Sequence, residues 1–130
     1  MTGCNVDYQI PECGSVEVES PNYPNNYRDL DSCQWLLSTE SNNQLRLTIF
    51  AFDTEIEFDK VNIGNGANPS NALSKIAGPL SGSIEDLTQT TYVSNADEMW
   101  ITFSTDNDKA RSGFIMRIED GGCTGKLICQ

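Results

Sequence analysis

From Phe52 to Val61 the chain reads FDTEIEFDKV, with an acid at every second position: Asp53, Glu55, Glu57 and Asp59. In an extended strand such residues share one face, with neighbours about 7 Å apart. Carboxylates gathered this way serve either as acid–base pairs or as ligands for a hard cation. The first use has little support. The chain contains no His, which removes the commonest general base and the usual partner of a serine or cysteine nucleophile. A paired-carboxylate glycosidase would need two acids flanking a sugar-sized cleft, and the sequence carries no second signal for one. The chain is therefore expected not to be an enzyme. The competing account of the run is an ordinary solvated face opposite Ile56 and Phe58.

Nineteen Asp and Glu against eight Lys and Arg give a net charge of −11 over 130 residues. Such a surface repels nucleic-acid phosphates and anionic lipid heads, and favours basic protein surfaces and divalent cations. No apolar run approaches the roughly 20 residues of a membrane-spanning helix, and MTGCNVDYQI lacks the pattern of a secretion signal. Met1 is consistent with a start codon replacing a removed signal. Five cysteines, Cys4, Cys13, Cys33, Cys123 and Cys129, occur without CxxC spacing and without His, so disulfides are expected rather than zinc. That implies an oxidising compartment, hence a secreted or extracellular protein. The odd count leaves one thiol free or bonded to another molecule, which keeps a disulfide-linked dimer open. The single Asn-x-Ser/Thr match, NPS at 68–70, is blocked by its proline.

The elements that must position the acids read as strands. SVEVE (15–19), CQWLLS (33–38), QLRLTIFAF (44–52), DKVNIGN (59–65), EMWITFS (98–104) and GFIMRIE (113–119) each alternate apolar and polar residues. Turn-rich segments separate them: SPNYPNNYRDLDS (20–32), GNGANPSN (64–71), GPLSGS (78–83) and STDNDKARSG (104–113). No stretch has a helical period, and residues 66–97 give the weakest signal. The pattern predicts an all-β, antiparallel two-sheet sandwich burying Trp35, Leu37, Leu45, Leu47, Ile49, Val61, Ile63, Met99, Ile101, Phe103, Phe114, Met116 and Ile118. Trp100 is out of phase, so it either faces outward or is covered by a neighbouring loop or strand.

One ordered set of residues carries a resemblance: Cys13-Gly14, SPNYPNNY (20–27), Cys33-Gln34-Trp35, FDTE (52–55), Asp59, GNG (64–66), FSTD (103–106) and Gly113-Phe114. Together they resemble a CUB domain, an extracellular jelly-roll-like β-sandwich. The resemblance implies a module over 13–119, with an N-terminal extension at 1–12 and a C-terminal tail bearing two cysteines at 120–130. It also implies a Cys13–Cys33 disulfide, whose loop of about twenty residues would contribute ~2–4 kcal/mol. The second disulfide of many CUB domains is missing as a pair, since Ile56 and Ala77 occupy its positions. Pairing among Cys4, Cys123 and Cys129 stays open: Cys4 with either of the others, or Cys123 with Cys129.

In calcium-binding CUB domains a Glu, an Asp a few residues later and an Asp before the Gly-Phe signature hold the ion, supported by a Tyr from the proline-rich turn. Carried onto this sequence, the resemblance implies Ca²⁺ held by Glu55, Asp59 and Asp106, with Tyr27 supporting them. Asp108 would contribute a backbone carbonyl. The next residue, where the family often supplies a side-chain oxygen, is Lys109, a cation that cannot ligate, so either water fills that place or the ion binds more weakly. Mg²⁺ fits less well, because it demands a tight octahedron. Asp53 and Glu57 are read as surface residues. The same acids and Tyr27 would receive a Lys or Arg from an extracellular protein partner. Spermadhesins, single-domain relatives of the fold, keep a glycan partner as the alternative, and the odd cysteine keeps a disulfide-linked structural or assembly role.

Overall fold

The computed structural model describes residues 4–29, 32–106 and 109–123, the side chain of Cys123 excepted. Its strands are β1 (Asp7–Ile10), β2 (Ser15–Glu19), β3 (Ser32–Thr39), β4 (Leu45–Asp53), β5 (Lys60–Asn65), β6 (Lys75–Leu80), β7 (Thr91–Val93), β8 (Glu98–Ser104) and β9 (Gly113–Asp120). Short 3₁₀ turns at Ala72–Ser74, Ile84–Asp86 and Gly121–Cys123 are the helical elements among the described residues. The strands form two sheets, in the orders β1-β3-β8-β5-β6 and β2-β9-β4-β7. All pairings are antiparallel except β1 with β3, which run parallel.

Alternation places the core as expected. Trp35 and Leu37 from β3, Met99, Ile101 and Phe103 from β8, and Val61 and Ile63 from β5 face Leu45, Leu47 and Ile49 from β4 and Phe114, Met116 and Ile118 from β9, all buried. Phe114 lies at its centre, edge-on to Phe103 at 5.0 Å and to Trp35 at 6.0 Å. Trp100 points to the other face of its sheet but is covered. Its ring lies over Gly64, where a Cβ would come within 2.1 Å of it, and its Nε1 donates to Ser74 Oγ at 3.0 Å. The 3₁₀ turn Ala72–Ser74 is thus what keeps this indole from solvent.

Several expectations need correction. Residues 7–10, read as part of an extension, form β1 and belong to the first sheet. The parallel register pairs Asp7 with Leu36 and Ile10 with Thr39, an offset of 29. Continued backward, that offset sets Cys4 beside Cys33, and those two form the disulfide, with Cα atoms 5.1 Å apart. The implied Cys13–Cys33 bridge does not form, because Cys13 lies beyond the far end of β1, next to β9. Cys13 is also disulfide-bonded. The Cys123 side chain and Cys129 lie outside the described residues. The Cys4–Cys33 bond removes Cys4–Cys123 and Cys4–Cys129 from the alternatives, and Cys123–Cys129 lies outside the described residues.

Part of GPLSGS also proves to be strand, closing β6 at Leu80. The first sheet tolerates Gly78 and Pro79 there because β6 is an edge strand whose pairing with β5 is interrupted by register shifts. The acidic run, finally, does not stay extended. A bulge between Ile49 and Ala51 in β4 reverses the phase, putting Phe50 outside under Arg117 and Phe52 inside. The strand stops at Asp53, and Ile56–Phe58 turn back, with Glu57 at φ 71°. Ile56 and Phe58, placed by alternation on a covered side, are 55% and 59% exposed.

Away from the acidic run, Asp120 ties the β1–β2 turn to the end of β9. Its carboxylate is 3% exposed and accepts from the Cys13 N–H at 3.0 Å, Asn43 Nδ2 at 3.1 Å and the Gly122 N–H at 3.1 Å. Burial pushes its pKa up, but these donors and the Ser41 hydroxyl outweigh it and hold the group at about 2. A pKa depressed on folding adds stability above the unfolded value of 3.8, and this is lost as pH falls through 2. Asp120→Asn is expected to cost about 2 kcal/mol at pH 7 and little near pH 2. Urea unfolding of both proteins across that range checks it.

Candidate functional site

The site forms where three loops meet at one end of the sandwich. The first follows β2: Tyr23 N–H bonds Ser20 C=O and Asn25 N–H bonds Asn22 C=O, giving two successive turns that deliver Tyr27. The second is the 54–59 turn after β4. Its Phe58 and Asp59 N–H groups both donate to Glu55 C=O, at 3.2 and 3.0 Å, and so fold Asp59 back beside Glu55. Thr54 anchors this turn, its hydroxyl donating to Asp59 C=O at 3.1 Å and accepting from Gly82 N–H at 3.1 Å. The third follows β8, where Thr105 Oγ1 donates to Arg28 C=O at 3.0 Å and brings Asp106 alongside Tyr27.

Tyr27 and Asp59 link the three. The Tyr27 hydroxyl donates to Asp59 Oδ2 at 2.5 Å and accepts from the Glu55 N–H at 3.1 Å, while Asp59 Oδ1 accepts from the Asp106 N–H at 2.9 Å. Asp59 is fully buried, Glu55 is 9% exposed and Asp106 is partly buried. One carboxylate oxygen from each of Glu55, Asp59 and Asp106 lies within 4.8 Å of the others. At an effective dielectric constant near 20, two charges at that separation repel by roughly 3–4 kcal/mol. Burial, then the hydrogen bond to Asp59, push the Tyr27 phenol well above its usual range, so it stays a donor at any physiological pH. The donor set is all oxygen, carboxylate-rich and partly preassembled, which suits a hard divalent cation and excludes a thiophilic one.

Of the residues singled out in the sequence, Glu55, Asp59, Asp106 and Tyr27 are brought together; Asp108 lies outside the described residues. Asp53 stays at the end of β4, near Ser112 Oγ at 3.5 Å, and Glu57 is exposed, its N–H on Ser81 Oγ at 2.9 Å. Lys109 is exposed. Sequence reading missed Thr54 and Ser20. Gly113, at φ +89°, leaves no room for a side chain, since a Cβ would come within 1.8 Å of Ser20 Oγ and 3.3 Å of the Tyr27 ring. Ser20 Oγ in turn accepts the Phe114 N–H at 3.0 Å. The Gly-Phe pair therefore seats the Tyr27 loop as well as the core, and the serine before Pro21 was the one local hint of this.

The sequence pattern of the CUB domain matches residues 7–117, and the chain belongs to that family. Cubilin of Sus scrofa is 31% identical over 137 residues, covering 96% of this chain and 4% of that protein. Fibropellin-3 of Strongylocentrotus purpuratus is 34% identical over 128 residues, covering 95% and 22%. The chain thus spans less than a quarter of the length of either relative. Among solved structures, the CUB1-EGF-CUB2 region of human MASP-1/3 superposes with a TM-score of 0.71 at 20% identity, covering 89% of this chain and 42% of that one. The MASP-1 CUB2 domain bound to Ca²⁺ superposes with a TM-score of 0.68 at 19% identity, covering 85% and 96%. At these identities the likeness is one of fold. Homologous CUB domains are extracellular protein-interaction modules and are generally non-catalytic. Among the described residues, no helix is long and apolar enough to cross a membrane.

Removing the Tyr27 hydroxyl strips Asp59 of a donor and the Glu55 N–H of its acceptor. Tyr27→Phe is expected to destabilise the metal-free protein by about 1–3 kcal/mol in urea unfolding. Because the phenol pKa is raised on folding, its contribution is complete below the unfolded value of 10.0 and declines as pH rises above it. The variant lacks that alkaline decline.

Proposed function

We propose that this CUB domain is a non-catalytic, extracellular module that binds a protein partner in a Ca²⁺-dependent way through a Lys or Arg of that partner. The observation that carries this reading is the convergence of Glu55, Asp59 and Asp106, from two distant parts of the chain, to within 4.8 Å. Oxygens no farther apart than that can share one calcium ion at about 2.4 Å, since ligands on opposite sides of such an ion stand about 4.8 Å apart. The MASP-1 CUB2 domain, whose fold this chain shares, holds Ca²⁺ in its crystal structure, and that likeness supports the reading. Here Glu55, Asp59 and Asp106 would hold the ion, with water and loop carbonyls completing its shell. Calcium supplies the positive charge that lets these carboxylates stand together.

The chain's own residues do the rest. Tyr27 holds Asp59 in one orientation, and Thr54 holds the turn that carries Glu55 and Asp59. Carboxylate lone pairs not used on the ion then accept N–H groups from an ammonium or guanidinium, a charge-assisted bond made by groups already in place. The net charge of −11 steers basic partners toward the domain, and salt weakens the encounter. The Cys4–Cys33 disulfide suits an oxidising, extracellular setting.

Calorimetric titration of the chelator-treated protein with Ca²⁺ tests the reading. A binding heat is expected, with affinity reduced at least tenfold in Asp106→Ala. Absence of heat from the unmodified protein overturns it.

A further inference from the structure

The turn that carries Glu55 and Asp59 also carries two exposed apolar side chains, Ile56 at 55% and Phe58 at 59%. Exposed apolar residues scattered singly need no explanation, but here two stand on one six-residue turn. They are not the product of a loose loop. The turn is pinned at Thr54 by Gly82, at Glu57 by Ser81 and at Asp59 by Glu55. Beside it runs an open groove of about 440 Å³, in which Ile56, Pro79, Leu80 and Leu87 provide the apolar wall and Glu57 and Asp86 the acids. Leu80 and Leu87 are half-buried, and Asp86 is fixed by bonds from the Ser83 N–H and hydroxyl.

We propose that this groove is the second half of the recognition surface, and that it receives an apolar side chain from the same partner segment whose Lys or Arg engages the acids. The inference rests on the calcium reading and specifies the partner: an extended protein segment in which a basic residue and a Leu- or Phe-sized residue stand one to three positions apart. The spacing follows from chain geometry. Glu55 and Ile56 are adjacent, with Cα atoms about 3.8 Å apart, and an extended partner advances about 3.3 Å per residue. The choice of a basic rather than an acidic partner follows from charge, since the charged residues lining the groove are the acids Glu57 and Asp86, and the turn that supplies Ile56 and Glu57 also carries Glu55 and Asp59. An aliphatic contact there excludes water from the adjoining charge pair and strengthens it. The groove and the acids are both fixed before the partner arrives, so little ordering cost falls on this side.

Two synthetic peptides test it by amide NMR titration of the calcium-loaded protein: acetyl-Gly-Ser-Lys-Ser-Leu-Phe-Gly-amide and the same peptide with Ser replacing Leu-Phe. The apolar peptide is expected to bind at least tenfold more tightly and to shift the amides of Ile56, Glu57 and Leu80. In Ile56→Ser/Phe58→Ser that advantage disappears, while Ca²⁺ affinity, thermal midpoint and binding of the serine peptide stay unchanged. Equal affinities for the two peptides, an advantage that survives in the double variant, or failure of both to bind with calcium present each overturn the proposal. Absence of a calcium heat in the unmodified protein overturns the metal reading instead, so the two failures are told apart.

Discussion

A fully buried carboxylate at the edge of a hydrophobic core is the constraint around which this end of the domain is built. Asp59 has no exposure to water, so the free energy of hydration it loses must be replaced by donors held in place. Two are supplied by distant parts of the chain, the Tyr27 hydroxyl and the Asp106 N–H. Each lies on a separate loop, and neither loop could shift without leaving the charge unsatisfied. The same hydrogen bonds that solvate Asp59 therefore fix the relative position of the three acids.

The core enforces this arrangement from below. Tyr27 packs edge-on against Phe103 at 5.0 Å, and Phe103 packs edge-on against Phe114. Gly113 gives the Tyr27 ring and Ser20 the space they occupy. The site is thus continuous with the aromatic centre of the sandwich. The Asp120 cluster works differently: its carboxylate is satisfied by backbone and amide donors gathered from three parts of the chain. One buried acid is an internal fastener, whereas the other is one of three carboxylates gathered within 4.8 Å. Their surroundings, more than their burial, make the difference.

Most of the sandwich was legible in the sequence because a half-buried strand has to alternate, and β3, β5, β8 and β9 keep an apolar residue at every second position of the core face. β6 was not legible, because Gly78 and Pro79 signal a turn and only an irregular edge position accommodates them as strand. The Cys4–Cys33 pairing was equally hidden. It depends on β1 lying parallel to β3, and the resemblance to the family pointed to Cys13 instead. Ile56 and Phe58 escaped the alternating pattern because the chain leaves β4 at Asp53 and enters a turn, where a period of two no longer sorts side chains by face.

What the sequence determined by itself was the class of fold, the acidity, the absence of histidine chemistry and, through the ordered motifs of the family, the choice of Glu55, Asp59, Asp106 and Tyr27 as candidate site residues. Those properties depend on residue type and local period. Tertiary structure alone decided which oxygens meet, which cysteines bond and which apolar side chains remain in water. Such outcomes depend on strand register, on the bulge in β4 and on turns closed by residues far apart in the chain, which no local pattern encodes.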